Sequence, residues 1–138
     1  DEYTKAEHLR GDNQWKNDED GVKYDAVKKL DIWEFPSILI ICLKRFDNFG
    51  RKRNDLVSFP IENLDLTSYC IGYNKFKSYF DLTGVCNHTG VSGYGHYYSY
   101  CRYKDNNWYE FNDRSVTKID KGSLVTSNAY CLFYKKKE

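Results

Sequence analysis

The stretch from Asn87 to Asp113, NHTGVSGYGHYYSYCRYKDNNWYEFND, constrains this chain more than any other. It opens as a glycine-punctuated loop ending in Gly93-Tyr94-Gly95, where glycine permits backbone angles and close approaches that a side chain would forbid. His96 follows, and Tyr97 to Tyr103 alternate as a strand does. Lys104-Asp105-Asn106-Asn107 has the composition of a tight turn. Trp108 to Phe111 then runs back, which makes the segment an antiparallel unit and predicts a β-rich chain.

The returning strand delivers Asn112 and Asp113 near His96. A four-residue turn pairs Tyr103 with Trp108, so Tyr98 lies opposite Asp113 and Ser99 opposite Asn112. His96 then shares a face with Asp113, at roughly 7–8 Å diagonal Cβ spacing. A one-residue change of register or a bulge puts Asn112 on that face instead. Spacing therefore leaves both residues open as partners of His96. A histidine beside an Asn or Asp that orients its ring is two thirds of a cysteine-protease triad. The plainer alternative is a surface hairpin whose histidine has no task.

At 138 residues the chain is one domain or part of one. Its 21 Lys and Arg balance 20 Asp and Glu, so no global field selects nucleic acid or an anionic membrane. Aromatics make up 17% of the residues, thirteen of them tyrosine, which favours β structure with a substantial core or interface. No apolar run approaches the ~20 residues needed to span a bilayer, and no secretory signal is visible. The absence of methionine is expected of a piece excised from a longer chain.

The cysteines are Cys42, Cys70, Cys86, Cys101 and Cys131. Their odd number and the lack of any C-x-x-C argue against a disulfide framework or a zinc site. Cys42, Cys101 and Cys131 fall in apolar or aromatic strand patterns, which predicts small buried hydrophobes. Reduced thiols fit the cytosol or nucleus best.

Along the chain, residues 1–24 are polar, and Gly11 to Gly21 is expected to be an exposed acidic loop. Leu30 to Phe35 alternates as a half-buried strand would. Beyond Pro36, Ser37 to Leu43 reads as a strand buried on both faces. Arg51-Lys52-Arg53 is expected in a solvated turn. Leu56 to Phe59 reads as a short strand stopped by Pro60, and Leu64 to Leu66 as a short buried segment. A connection rich in Tyr, Gly and Lys leads to a strand from Tyr79 to Cys86. Val116 to Ile119, a turn of helix near Ser123, a strand from Ala129 to Tyr134, and a frayed end at Lys135 to Lys137 complete the chain. The expected class is α+β, mainly antiparallel β.

Five blocks carry a resemblance: PSILIICLKRF from Pro36, FPIENLDL from Phe59, GYGHYYSYC from Gly93, WYEFNDRSV from Trp108 and AYCLFY from Ala129. In this order and spacing, from about Asp12 to Tyr134, the chain resembles ubiquitin-specific proteases. The resemblance implies a papain-like cysteine peptidase fold of the fingers–palm–thumb type. Residues 11–30 would be a remnant of the fingers and residues 31–138 the palm, with the thumb absent.

The resemblance also implies roles. His96 looks like the general base, and Asn112 matches the residue that receives its other N–H, a place held by Asp in most members. Asp113 could supply the charge that Asn112 lacks or polarise water. The segment from His88 to Gly95 resembles a mobile loop that closes over ubiquitin's C-terminal tail, so Gly93, Tyr94 and Gly95 would bind the tail and Tyr97 would wall its channel. No cofactor is implied. The implied partners are ubiquitin, ubiquitinated proteins and the missing thumb half of the same domain, with no nucleic acid and no membrane, in the cytoplasm or nucleus.

Two departures stand out. The family's nucleophile lies in an N-terminal block, and nothing like Gly-Asn-Thr-Cys occurs here, so none of the five cysteines is assigned that role, Cys86 included. Asn17 and Asp20 stand where many relatives carry zinc-binding cysteines, and such residues suit structural Zn²⁺ poorly, so no metal is expected. The chain thus reads as part of a cysteine deubiquitinase that supplies His96 with Asn112 or Asp113 but not the thiol. The alternatives are a non-catalytic ubiquitin-binding module and a β-rich structural domain.

Overall fold

A computed structural model describes residues 2–73 and 78–137. Residues 74–77 of the Tyr, Gly and Lys-rich connection lie outside the described residues. The chain divides into two compact units, Asp1–Phe35 with Thr67–Phe76, and Pro36–Leu66 with Lys77–Glu138.

The first unit contains β1 (Glu7–Leu9), β2 (Trp15–Lys16), β3 (Lys23–Tyr24) and β4 (Ala26–Lys28). β1 pairs with β4 and β2 with β3, both antiparallel, as the chain runs out and back. The polar segment 11–21 is thus more than a loop. It holds a 3-10 turn at Gly11–Asn13, then β2, then a turn closed by Gly21 N–H donating to the Asn17 carbonyl at 2.9 Å. Asp20 accepts from Val22 N–H and the Tyr24 hydroxyl, each at 2.8 Å, and these bonds hold its carboxyl below the usual range. The strand expected at Leu30 to Phe35 does not form, and Ile32 makes only an isolated parallel bridge to Cys70. Cys70 Sγ donates to the Trp33 carbonyl at 3.1 Å.

The second unit is built on one antiparallel sheet. Its strands are β5 (Ile38–Cys42), β6 (Leu64–Asp65), β7 (Tyr79–Val91), β8 (Tyr94–Arg102), β9 (Trp108–Asn112), β10 (Ser115–Ile119) and β11 (Ala129–Lys136). The order is β10-β9-β8-β7-β11-β5, with β6 also paired to β7. β7 to β10 form a meander because their connections are short, and β11 returns between β7 and β5. One face carries the core. Val85 and Leu132 are partners across β7 and β11, Leu82 faces Tyr134, and Tyr100 lies across from Val85, all nearly solvent-free. Side chains of this size each favour burial by roughly 1.5–3 kcal/mol. The Tyr134 hydroxyl, which burial would otherwise leave unpaired, donates to the Pro60 carbonyl at 2.7 Å.

Several expectations are corrected here. β5 is an edge strand with Ile38 and Ile40 about half exposed, because its apolar run has β11 on one side only. Residues 56–59 form no strand, although Phe59 is buried. The basic end is not frayed at Lys135, since that residue pairs with both Ile38 and Asp81 and β11 runs to Lys136. Lys52 is not simply solvated. It is half-buried, and its Nζ donates to the His88 carbonyl at 2.5 Å. Helical structure among the described residues is confined to short 3-10 turns, including the expected one at Lys121–Ser123.

Candidate active site

The glycine segment is strand rather than loop. β7 runs through His88 to Val91 and pairs directly with β8, with Val91 opposite Tyr94, Gly90 opposite Gly95 and Thr89 opposite His96. Only Ser92 and Gly93 remain as the turn, with Gly93 at φ +81°. The pairing explains the glycines. A Cβ on Gly95 would lie 2.0 Å from His88 Nε2, and one on Gly90 would lie 2.5 Å from the Tyr94 carbonyl oxygen. At the tip, Tyr94 is 86% exposed.

The next connection is five residues, Tyr103 to Asn107, not four. Asn106 adopts the left-handed conformation at φ +61°, and Tyr103 N–H donates to the Asn107 carbonyl at 2.9 Å. Asp105 fastens this turn by accepting from Asn107 N–H and the Tyr109 hydroxyl. The register therefore pairs Arg102 with Trp108 and Ser99 with Phe111. Continued by one step, it sets Tyr98 opposite Asn112, so the face shared with His96 is that of Asn112.

The side chains follow the register. His96 Nε2 lies 2.6 Å from Asn112 Oδ1. The Tyr98 ring stacks beside the imidazole with centroids 6.5 Å apart. Asp113 is in the two-residue turn before β10, at φ +51°, and its Oδ2 stands 4.0 Å from the same Nε2 with the side chain 79% exposed. With Nε2–H donated to Asn112, Nδ1 is left with the lone pair, free to accept a proton.

Glu110, which the sequence reading passed over, adds to this set. Its Oε1 accepts from Asn112 Nδ2 at 3.5 Å. It sits two residues before Asn112 on the same face, and period-two spacing in WYEFN is the signal that could have found it.

Tyr97 points to the other face, as alternation requires. Its ring packs on His88 with centroids 4.6 Å apart, and on Tyr130 at 6.0 Å. His88 is 4% exposed, and desolvation, followed by the charge of Lys52, holds its imidazole below the ordinary histidine range. Cys86 and Cys101 also belong to this other face, since Cys86 pairs with Ser99 and Cys101 is two residues further along β8. Three cysteines depart from the expected burial: Cys42 is exposed, and Cys101 and Cys131 are half-buried. The thiol neighbourhood of Cys42 and Cys131 lies on β5, β11 and β7, not beside His96.

The mainly antiparallel sheet is that of a papain-like peptidase palm, and known proteins share it. Residues 3–134 match the family model described as ubiquitin carboxyl-terminal hydrolase. The chain is 39% identical over 138 residues to ubiquitin carboxyl-terminal hydrolase 8 of Arabidopsis thaliana, covering 97% of this chain and 16% of that protein. It is 36% identical over 141 residues to human ubiquitin carboxyl-terminal hydrolase 15, covering 99% of this chain and 14% of that one. A SAGA DUB module of Ubp8, Sgf11, Sus1 and Sgf73 bound to monoubiquitin contains a chain that superposes with a TM-score of 0.81 at 32% identity, over 99% of this chain and 31% of that chain. The same module bound to ubiquitin aldehyde gives 0.80. The chain therefore belongs to the ubiquitin carboxyl-terminal hydrolase family. It spans about a sixth of the length of the curated relatives it matches.

Proposed function

We infer that this chain supplies the general base of a cysteine deubiquitinase, and that the nucleophilic thiol comes from a segment outside these 138 residues. The observation that carries the reading is the 2.6 Å contact between His96 Nε2 and Asn112 Oδ1, which leaves the Nδ1 lone pair for the proton of a thiol. His96 Nδ1 takes the thiol proton, and the thiolate attacks the carbonyl of ubiquitin's last glycine. The imidazolium then protonates the departing amine, giving a thioester that water hydrolyses with His96 again as base. Asn112 fixes the tautomer, and Asp113, 4.0 Å from Nε2, adds negative charge near the imidazolium.

The hairpin tip fits the ubiquitin tail. The tail meets Gly93, where a Cβ would find open space, and the exposed Tyr94 beside Gly95, whereas the space beside Gly90 and Gly95 is filled by the Tyr94 carbonyl and His88. Tyr97 supports this tip from behind through His88. Residues 11–30 take the place of the fingers and residues 31–138 that of the palm. The partners are ubiquitin, its conjugates and the thumb half, in the cytoplasm or nucleus.

The test uses the full-length protein and ubiquitin with a fluorogenic C-terminal amide. Turnover by the long protein, none by residues 1–138, and its loss in His96→Ala are expected. Activity unchanged by His96→Ala would sink the reading.

A further inference from the structure

We propose that Cys42 and Cys131 form a reversible oxidation site, closing a cross-strand disulfide when a hydroperoxide reacts with the exposed thiol of Cys42. The two sulfurs are already in contact, with Sγ atoms 3.1 Å apart. The pairing explains why. Cys42 and Cys131 are direct partners across β5 and β11, and next to them Leu43 N–H donates to the Tyr130 carbonyl at 2.9 Å. Leu43 and Tyr130 are therefore a hydrogen-bonded pair, which makes Cys42 and Cys131 a non-hydrogen-bonded one. Such pairs have Cα atoms about 4.5 Å apart with side chains leaning together, inside the range that a disulfide spans.

The two thiols differ in a way that orders the chemistry. Cys42 is on the sheet's edge strand and exposed, whereas Cys131 lies between neighbours on both sides. Burial, reinforced by the contact with Cys42, pushes the Cys131 thiol up to about 12. Cys42 is thus the sulfur that meets the oxidant. Its thiolate attacks the peroxide O–O bond, giving a sulfenic acid and one water or alcohol. Cys131 then attacks that sulfur, the S–O bond breaks, and water leaves with the thiol proton. Two thiols lose two electrons in all, the peroxide gains them, and an external thiol reverses the change.

Cys86 is the competitor, because it is the partner of Cys131 on the other side. Its pairing adjoins a register shift between Ala129 and Cys131, and the sulfur contact that Cys131 makes is with Cys42. Arg45 strengthens the choice by tying the chain just after β5 to the start of β11, its Nε donating to the Ala129 carbonyl at 2.9 Å.

Trypsin separates the candidates, since residues 30–44 carry Cys42, residues 122–135 carry Cys131, and residues 78–102 carry Cys86 with Cys101. The full-length protein is treated with hydrogen peroxide, blocked with iodoacetamide and mapped without reduction. A linked 30–44/122–135 species, 2 Da lighter than the two thiol peptides together and lost on dithiothreitol, is expected. Its formation should raise the thermal midpoint on the order of 5–10 °C, because the crosslink restricts the unfolded chain. Cys42→Ser should abolish both changes, and Cys86→Ser should leave both. A link from Cys131 to residues 78–102, Cys42 driven to sulfinic acid with Cys131 still alkylated, a Cys42 link between two molecules, or a Cys42 that does not react would each overturn the proposal.

Discussion

Asn112 Oδ1 stands 2.6 Å from His96 Nε2, while the carboxylate of Asp113, the next residue, stops at 4.0 Å. A strand-end amide holds the ring, and a turn carboxylate stays in solvent. The two should then differ in kinetics. Asn112→Ala in the full-length protein is expected to lower kcat on ubiquitin amide by ~10²-fold, within the 10²–10⁴ range of positioned acid–base groups. Asn112→Asp should restore activity, and Asp113→Asn should cost no more than about fivefold. A larger loss from Asp113→Asn than from Asn112→Ala would reverse the assignment.

Glu110 bonds the far side of the Asn112 amide at 3.5 Å. It holds Oδ1 toward the histidine and polarises the amide. Glu110→Gln should reduce kcat by roughly four- to tenfold, about half of what a hydrogen bond to a charged group contributes, with KM unchanged. Equal changes in kcat and KM would show a role in binding instead.

The hairpin glycines should not be equivalent. Gly95→Ala pushes a methyl into His88 and the Thr89 carbonyl oxygen 2.7 Å away, so the backbone pairing must shift, at a cost of about 2–3 kcal/mol. Gly93→Ala meets open space and bears only the strain of φ +81°, about 1–2 kcal/mol. Urea midpoints of the two variants check the order.

His88 predicts a pH dependence. Desolvation lowers its folded-state pKa below the ordinary 6.5. The unfolded chain thus binds the proton more readily, and the contribution of neutral His88 is complete above about pH 6.5 and lost as pH falls toward its folded value. His88→Phe should flatten the decline in unfolding free energy between about pH 6.5 and pH 5. An undiminished decline would place its origin elsewhere, such as in the carboxylates.

Arg45 is 3% exposed and donates to the carbonyls of Ala129, Arg53 and Asp55. Arg45→Ala strands these acceptors and should destabilise the unit by roughly 2–4 kcal/mol, measured by denaturant titration.

Alternation and turn composition alone established much of this protein. They placed the antiparallel strand pair around His96, β11 and the 3-10 turn near Ser123, because period-two patterning and Gly, Asn and Asp punctuation are local properties of the chain, while the family came from the resemblance of five sequence blocks. They also narrowed the partner of His96 to Asn112 or Asp113. What they could not decide was the register. A fifth residue in the Tyr103 to Asn107 connection moved every side chain of β9 by one place, and that turn depends on Asn106 adopting φ +61° with Asp105 bonded to Tyr109. Likewise, the apolar run at Ile38 to Cys42 does not say how many neighbours a strand has. Only the sheet order put it on an edge, exposed Cys42, and brought its sulfur to Cys131, 89 residues away. Pairing between distant strands is a property of the assembled sheet, and no local pattern encodes it.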